Sequence, residues 1–220
     1  MKRRLTVHLA GPAYSPEEVE GMATIASLLE ASGFEVYFQQ RDGIGSALRP
    51  SANPGFDEGH RRVLESASFA LEIYRLANRC DCLVFDMNGR VPDDGGAFLA
   101  AAAFALGKPV VLYKRDLRTK LYGNDNAMIS GLSFDFSTVS EPAKLGGEVR
   151  KAIGRFAYPG ARVASMPPLV KMNADLGRVV YESLEGFKAS GSEVEPEEFY
   201  AELASACEAS EAWRFRMTPR

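Results

Sequence analysis

The sequence predicts an α/β fold of flavodoxin-like or Rossmann-like type: a doubly wound, five-stranded parallel sheet with a helical C-terminal appendage. Three observations carry this reading. Short apolar runs alternate with helix-length segments through the first part of the chain, the pattern of repeated βαβ units. In the clearest of these units, Asp93-Asp94-Gly95-Gly96 opens an alanine-rich segment that reaches Gly107-Lys108. It lies between the apolar runs Cys82-Leu83-Val84-Phe85 and Pro109-Val110-Val111-Leu112-Tyr113. Beyond a proline-containing stretch, residues 158–168, two helical segments follow one another with no strand between them.

The elements read in order as follows. Leu5 to Leu9 forms a first strand. Ser15, Pro16 and Glu18 then supply an N-cap, a first-turn proline and the third-position acid of a capping box. Val19, Met22, Ala26 and Leu29 repeat at helical spacing, and Gly33 stops that helix. Phe34 to Phe38 is the second strand. Residues 39–58 read as a long polar loop with Gly43, Gly45, Pro50, Pro54 and Gly55, a length that is usually functional or disordered. A helix over His60–Asn78 leads to the strand Cys82–Phe85. After the alanine helix and the strand Pro109–Tyr113 come a polar loop, Lys114–Ser130, a fifth strand over Leu132–Phe136 and a closing helix over Glu141–Phe156. Parallel strands joined in this way take right-handed crossovers. The expected division is an α/β domain over 1–157, a linker over 158–168 and a helical extension over 169–220. The helices of that extension, Leu169–Ala189 and Pro196–Trp213, cannot bury their apolar faces alone. They are predicted to pack on the core or on a second subunit.

Composition narrows the function classes. The 220 residues are 46% apolar and 25% charged, as in soluble globular proteins. A net charge of −3 gives no basic footprint, so nucleic acid is not an expected partner. The basic start Met1-Lys2-Arg3-Arg4 precedes an apolar run too short for a secretory signal, and no segment is long enough to span a membrane. A cytoplasmic location is expected. Three cysteines cannot build a disulfide framework. Cys80 and Cys82, in a chain with two histidines, read as buried thiols rather than metal ligands. The turn after the first strand lacks Gly-x-Gly-x-x-Gly, which argues against a dinucleotide, and no cofactor is expected.

Several polar residues could carry chemistry. Asp93, beside Gly95 at the end of a strand, is placed for acid–base work or for capping the helix that follows. Asp94 reads as a cap or a solvated acid. His8 falls in a buried strand, as a hydrogen-bonded core histidine or a base. Asp81 reads as a helix-to-strand turn residue. Gln40 and Asp42 follow the second strand, Gly11 and Pro12 shape the turn after the first, and Asn126 ends a run of ordinary turn residues.

Together these stretches resemble the nucleoside 2-deoxyribosyltransferase family. Val7-His8-Leu9-Ala10-Gly11-Pro12 looks like that family's first strand and Gly-Pro loop. Glu35-Val36-Tyr37-Phe38-Gln39-Gln40-Arg41-Asp42-Gly43 is similar to its second strand and Pro-Gln-Arg-Asp-Gly, with Gln39 in the proline's place. Asp81 with Leu83-Val84-Phe85, then Asp93-x-Gly95-x-Ala97-Phe98 and Gly107-Lys108-Pro109-Val110, resemble its third strand, its active-site helix and that helix's end. Asp116-Leu117-Arg118 and Asn126-Ala127-Met128 resemble its final loop.

The resemblance implies a five-stranded parallel sheet, assembly as a dimer or larger homo-oligomer, and action on the N-glycosidic bond of nucleosides or their monophosphates. The family's nucleophile is a Glu that forms a covalent glycosyl-enzyme. By resemblance, Asp93 exchanges a proton with the base, and Asp81 touches the sugar or supports the nucleophile. Gln40 and Asp42 read base edges, and Asn126 reaches sugar hydroxyls. Gly11 and Gly95 let the ligand approach, and His8 falls where many members place a tyrosine that positions the Glu. The nucleophile's own position is Leu99, whose side chain has no lone pair, which puts the usual transferase chemistry in doubt. The first reading is therefore a protein that binds a nucleoside, nucleotide or related small molecule. The alternatives are an active deoxyribosyltransferase or N-glycosidase using Asp93 and water, and a non-catalytic structural subunit. Whether the chain is an enzyme stays open at this point.

Overall fold

The computed structural model describes residues 3–48, 57–89, 91–116, 126–156, 165–190 and 196–217. Five parallel strands, β1 (Thr6–Ala10), β2 (Glu35–Tyr37), β3 (Cys82–Asp86), β4 (Val110–Tyr113) and β5 (Thr138–Val139), lie in the order β2-β1-β3-β4-β5. Val7 pairs with Val36 on one side and Cys82 on the other, and Phe85 pairs with Leu112. The order reverses between β1 and β3. Their carboxyl ends are thus the switch point at which open α/β sheets take ligands.

β1 and β3 are buried along their whole length, as strands covered on both faces must be. Their side chains alternate between the two faces. Val7, Leu9, Val84 and Tyr113 pack with Met22, Ile25 and Leu29 of α1 (Pro16–Ala31) and with Leu145 and Val149 of α7 (Leu145–Arg155). Each large side chain so buried contributes about 1.5–3 kcal/mol. The opposite face receives α5 (Asp94–Ala105), where a Cβ on Gly96 would lie 2.4 Å from Cε2 of Phe85. The capping box of α1 forms as the sequence predicts. Glu18 N donates to the Ser15 hydroxyl, and Ser15 N donates to the Glu18 carboxylate. Gly33 ends that region with φ of 90°, a value that favours glycine.

Three expectations about elements need correction. The fifth strand is not Leu132–Phe136. Phe134 and Phe136 are exposed there, and Phe136 has φ of 57°, which breaks an extended run. The strand that joins the sheet is the short β5, paired with Leu112 and Tyr113. Residues 39–48 are not loop but two short helices, α2 (Gln39–Asp42) and α3 (Ile44–Leu48). Gly43 N donates to the Gln39 carbonyl at 2.8 Å, and a Cβ on Gly43 would sit 2.6 Å from that oxygen. Pro50, Pro54 and Gly55 lie outside the described residues. The closing helix is preceded by a 3₁₀ turn, Pro142–Lys144.

The chain forms two compact units, Met1–Phe38 with Arg79–Ala164, and Gln39–Asn78 with Ser165–Arg220. Residues 39–78, grouped by sequence with the α/β domain, thus share a unit with the C-terminal helices. The physical reason is the apolar face of α4 (Glu58–Tyr74), which starts at an Asp57 N-cap and runs into a π-helical turn, Arg75–Arg79. Its Val63, Ala67, Ala70 and Leu71 pack with Leu176, Val180 and Leu184 of α8 (Pro168–Ser190). Phe199 and Leu203 of α9 (Pro196–Ala209) complete the cluster. A Cβ on Gly177 would fall 2.0 Å from the Ala70 carbonyl oxygen, so the backbones of α4 and α8 are in contact there. The last predicted helix is split at Ser210, whose hydroxyl accepts from Trp213 N at the start of Glu211–Met217.

Cys80, Cys82 and Cys207 are buried free thiols, and burial pushes Cys80 up to about 11. Among the described residues no group of His, Cys, Asp and Glu is arranged to hold a metal ion. No helix among them is long and apolar enough to cross a membrane.

Candidate functional site

At the switch point, the acidic loop after β3 turns into α5. Asp93 is the N-cap: its Oδ2 accepts from Gly96 N at 2.5 Å, where free N–H groups and the helix dipole favour a carboxylate. The loop after β1 brings Tyr14 to the same place, its hydroxyl 3.5 Å from Asp94 Oδ1. The hydrogen bond and charge of Asp93, then the charge of Asp94, hold the Tyr14 phenol above its ordinary pKa. Gly95 is exposed in the first turn of α5, and Leu99 is half-buried further along the same helix. Two carboxylates, a phenol and a helix N-terminus can therefore bind a small donor-bearing ligand and exchange a proton with it. Sequence reasoning missed Tyr14. No local pattern marks it, because its meeting with Asp93 and Asp94 depends on β1 and β3 being neighbours.

A polar network fixes the first part of that loop. Asn88 donates through N and Nδ2 to Asp86 Oδ1 at 2.9 and 2.5 Å. Its own Oδ1 accepts from Arg115 N and Asp116 N at 2.8 and 3.0 Å. The loops after β3 and β4 are thereby tied together. Burial pushes the Asp86 carboxyl above its ordinary pKa, and the two Asn88 bonds oppose that rise. Gly11 is packed against this acid. A Cβ there would be 2.7 Å from Asp86 Cβ, so the close approach of the two loops requires glycine.

The remaining sequence-predicted residues sit on other elements. His8 is buried in β1, with its ring edge-on to Tyr37 at 4.9 Å. Asp81 is not brought to Asp93. It precedes β3 at the amino end of the sheet, where it binds Arg3 at 2.5 Å and accepts from Thr6 N at 2.7 Å. A five-residue strand, about 17 Å, separates that end from the carboxyl end. Asn126 N-caps the short α6 (Ala127–Ser130), accepting from Met128 N at 3.0 Å. Gln40 and Asp42 belong to the second unit. Gln40 is exposed, and Asp42 accepts from Arg41 Nε and Nη2 at 2.9 and 3.0 Å.

A family model described as nucleoside 2-deoxyribosyltransferase matches residues 7–147. The chain belongs to the nucleoside 2-deoxyribosyltransferase family. The match runs from β1 into α7 and includes Asp93, Gly95 and Leu99. Helices α8 and α9 lie beyond it. Among solved structures, a conserved protein from Enterococcus faecalis V583 is similar in fold, with TM-score 0.50 and 18% identity. That alignment covers 68% of this chain and 99% of that one. A 2-desoxiribosyltransferase from Leishmania mexicana aligns with TM-score 0.41 and 20% identity, over 66% of this chain and 97% of its own. No curated protein matches the chain.

Proposed function

We propose that this member of the deoxyribosyltransferase family binds a nucleoside, nucleotide or related small molecule beside Asp93, without the family's covalent transfer step. The observation that carries this is Leu99. It stands on α5 at the position that resemblance assigns to the nucleophilic Glu, and its half-buried side chain cannot donate electrons to an anomeric carbon. Loss of a nucleophile costs several powers of ten in rate, while binding and orientation can survive it. Asp93, Gly95 and the amino end of α5 support binding: together they offer a carboxylate and an exposed turn to a base or its sugar. A homo-oligomer of two or more copies goes with this reading, as the resemblance implies, and so does the cytoplasmic location expected from the sequence.

Thermal unfolding in the presence of nucleosides, deoxynucleosides and their 5′-monophosphates tests the proposal. One class is expected to raise Tm with concentration, as ligand linkage requires, and Asp93→Ala is expected to lose that rise. Absence of any stabilisation would overturn the reading in favour of a structural subunit. Release of free base would overturn it in favour of an N-glycosidase using Asp93 and water.

A further inference from the structure

Three loops at the carboxyl end of the sheet converge on one pair of side chains. Asn88, half-buried two residues past β3, donates through N and Nδ2 to Asp86 and accepts at Oδ1 from Arg115 N and Asp116 N. Gly89 N adds a longer bond, 3.3 Å, to Asp116 Oδ2. Asp86 in turn lies against Gly11, so the loop after β1 joins the loops after β3 and β4. Two of these loops lead to the candidate site. The first carries Tyr14, whose N is held by Glu18 Oε2 at 2.8 Å and whose hydroxyl lies by Asp94. The second ends at Asp93, four residues beyond Gly89.

The amide of Asn88 suits this joint because it offers a donor on one side and an acceptor on the other. An ionised carboxylate in its place has no donor for Asp86. It would also set a second charge beside a buried acid, which burial already pushes above its ordinary pKa. The other titratable groups around the pair are Glu18 from α1, Arg115, Asp116 and the Tyr113 phenol of β4.

We propose that Asn88 is a positioning residue for the ligand site: by joining Asp86 to the loop after β4, it holds the Tyr14 and Asp93 loops where a ligand meets them. This inference rests on the binding function proposed above. Asn88 acts through its neighbours and makes no contact with the ligand. A site of this kind depends on such supporting bonds, since groups on loops are placed only as accurately as their anchors.

Asn88→Asp tests the role, because Asp keeps the shape of Asn and changes only the donor. At pH 8 the new carboxylate repels Asp86. Two carboxylates so close share a proton as pH falls. The protonated side chain then donates to Asp86 in place of Nδ2, while its other oxygen accepts from Arg115 N and Asp116 N. The first readout is the amide spectrum of the free, full-length ¹⁵N-labelled chain, with wild type at each pH as reference. Asn88→Asp is expected to move Gly95 and Gly96 at pH 8 and to return them to wild-type positions at pH 5. The second is calorimetric titration with each of the four deoxynucleosides and their 5′-monophosphates. Asn88→Asp is expected to bind about tenfold more weakly than wild type at pH 8 and to regain most of that loss at pH 5. Asn88→Ala, which lacks both donor and acceptor, is expected to bind weakly at both pH values and to move Gly95 and Gly96 at both. The proposal is overturned if Gly95 and Gly96 keep their wild-type shifts in both variants at pH 8. It is equally overturned if both variants bind as tightly as wild type, or if lowering the pH restores nothing in Asn88→Asp. Failure of wild type to bind any of these compounds would instead refute the binding function, and the free-chain shifts would still decide the positioning role.

Discussion

Both units of this chain seat a helix on a glycine, but the two glycines meet different atoms. In the sheet unit Gly96 lets α5 settle on the ring of Phe85, and in the helical unit Gly177 lets α8 settle on the backbone of α4. The ring must move by about 1 Å to clear an added Cβ, a shift that a side chain can make by turning about its own bonds. A carbonyl within a helix cannot move without carrying its helix along. The helix that bears Asp93 and Leu99 therefore rests on a yielding contact, whereas the C-terminal helices rest on a rigid one.

The comparison predicts unequal costs for one added methyl. Gly177→Ala is expected to have the larger effect, about 3 kcal/mol of lost stability. The overpacking exceeds the helix propensity gained, which is about 1 kcal/mol. Trp213, the chain's one tryptophan, packs against that core, so its fluorescence during urea unfolding reports on this unit. A loss below about 1 kcal/mol would mean that the helices separate freely and that the contact is not rigid. Gly96→Ala is expected to cost less, about 1–2 kcal/mol, because Phe85 can yield. Far-UV circular dichroism during urea unfolding checks it, and a cost equal to that of Gly177→Ala would break the contrast.

The same contrast explains what was legible in the sequence. The strands β1, β3 and β4 and the helices α1 and α5 announce themselves, because apolar runs, a capping box and an Asp-Asp-Gly-Gly start are local signals. The fifth strand was misplaced for a physical reason. Leu132-Ser133-Phe134-Asp135-Phe136 alternates with the period of a strand, yet its phenylalanines face solvent and Phe136 turns left-handed. The true β5 is two residues long and carries too little pattern to be seen. Glycines and prolines hid α2 and α3, whose turns are closed by backbone bonds rather than by side-chain periodicity.

At the candidate site the division is similar. Asp93 and Gly95 were visible because they open a helix after a strand. Tyr14 and the Asp86–Asn88 network were not, since they exist only once β1, β3 and β4 lie side by side. Asp81 shows the converse. It sits in a recognisable stretch, but the parallel sheet holds it at the amino end, bonded to Arg3 and Thr6.

The central claim is that α5 presents a ligand-binding turn whose nucleophile position is filled by Leu99. Chromatographic measurement of base release from nucleosides, deoxynucleosides and their 5′-monophosphates, with wild type and Leu99→Glu side by side, tests it most directly. The account predicts that wild type releases no base and that Leu99→Glu does, because the carboxylate restores the missing electron pair to an otherwise intact site. Release of base by wild type, whether or not Leu99→Glu adds to the rate, would contradict it.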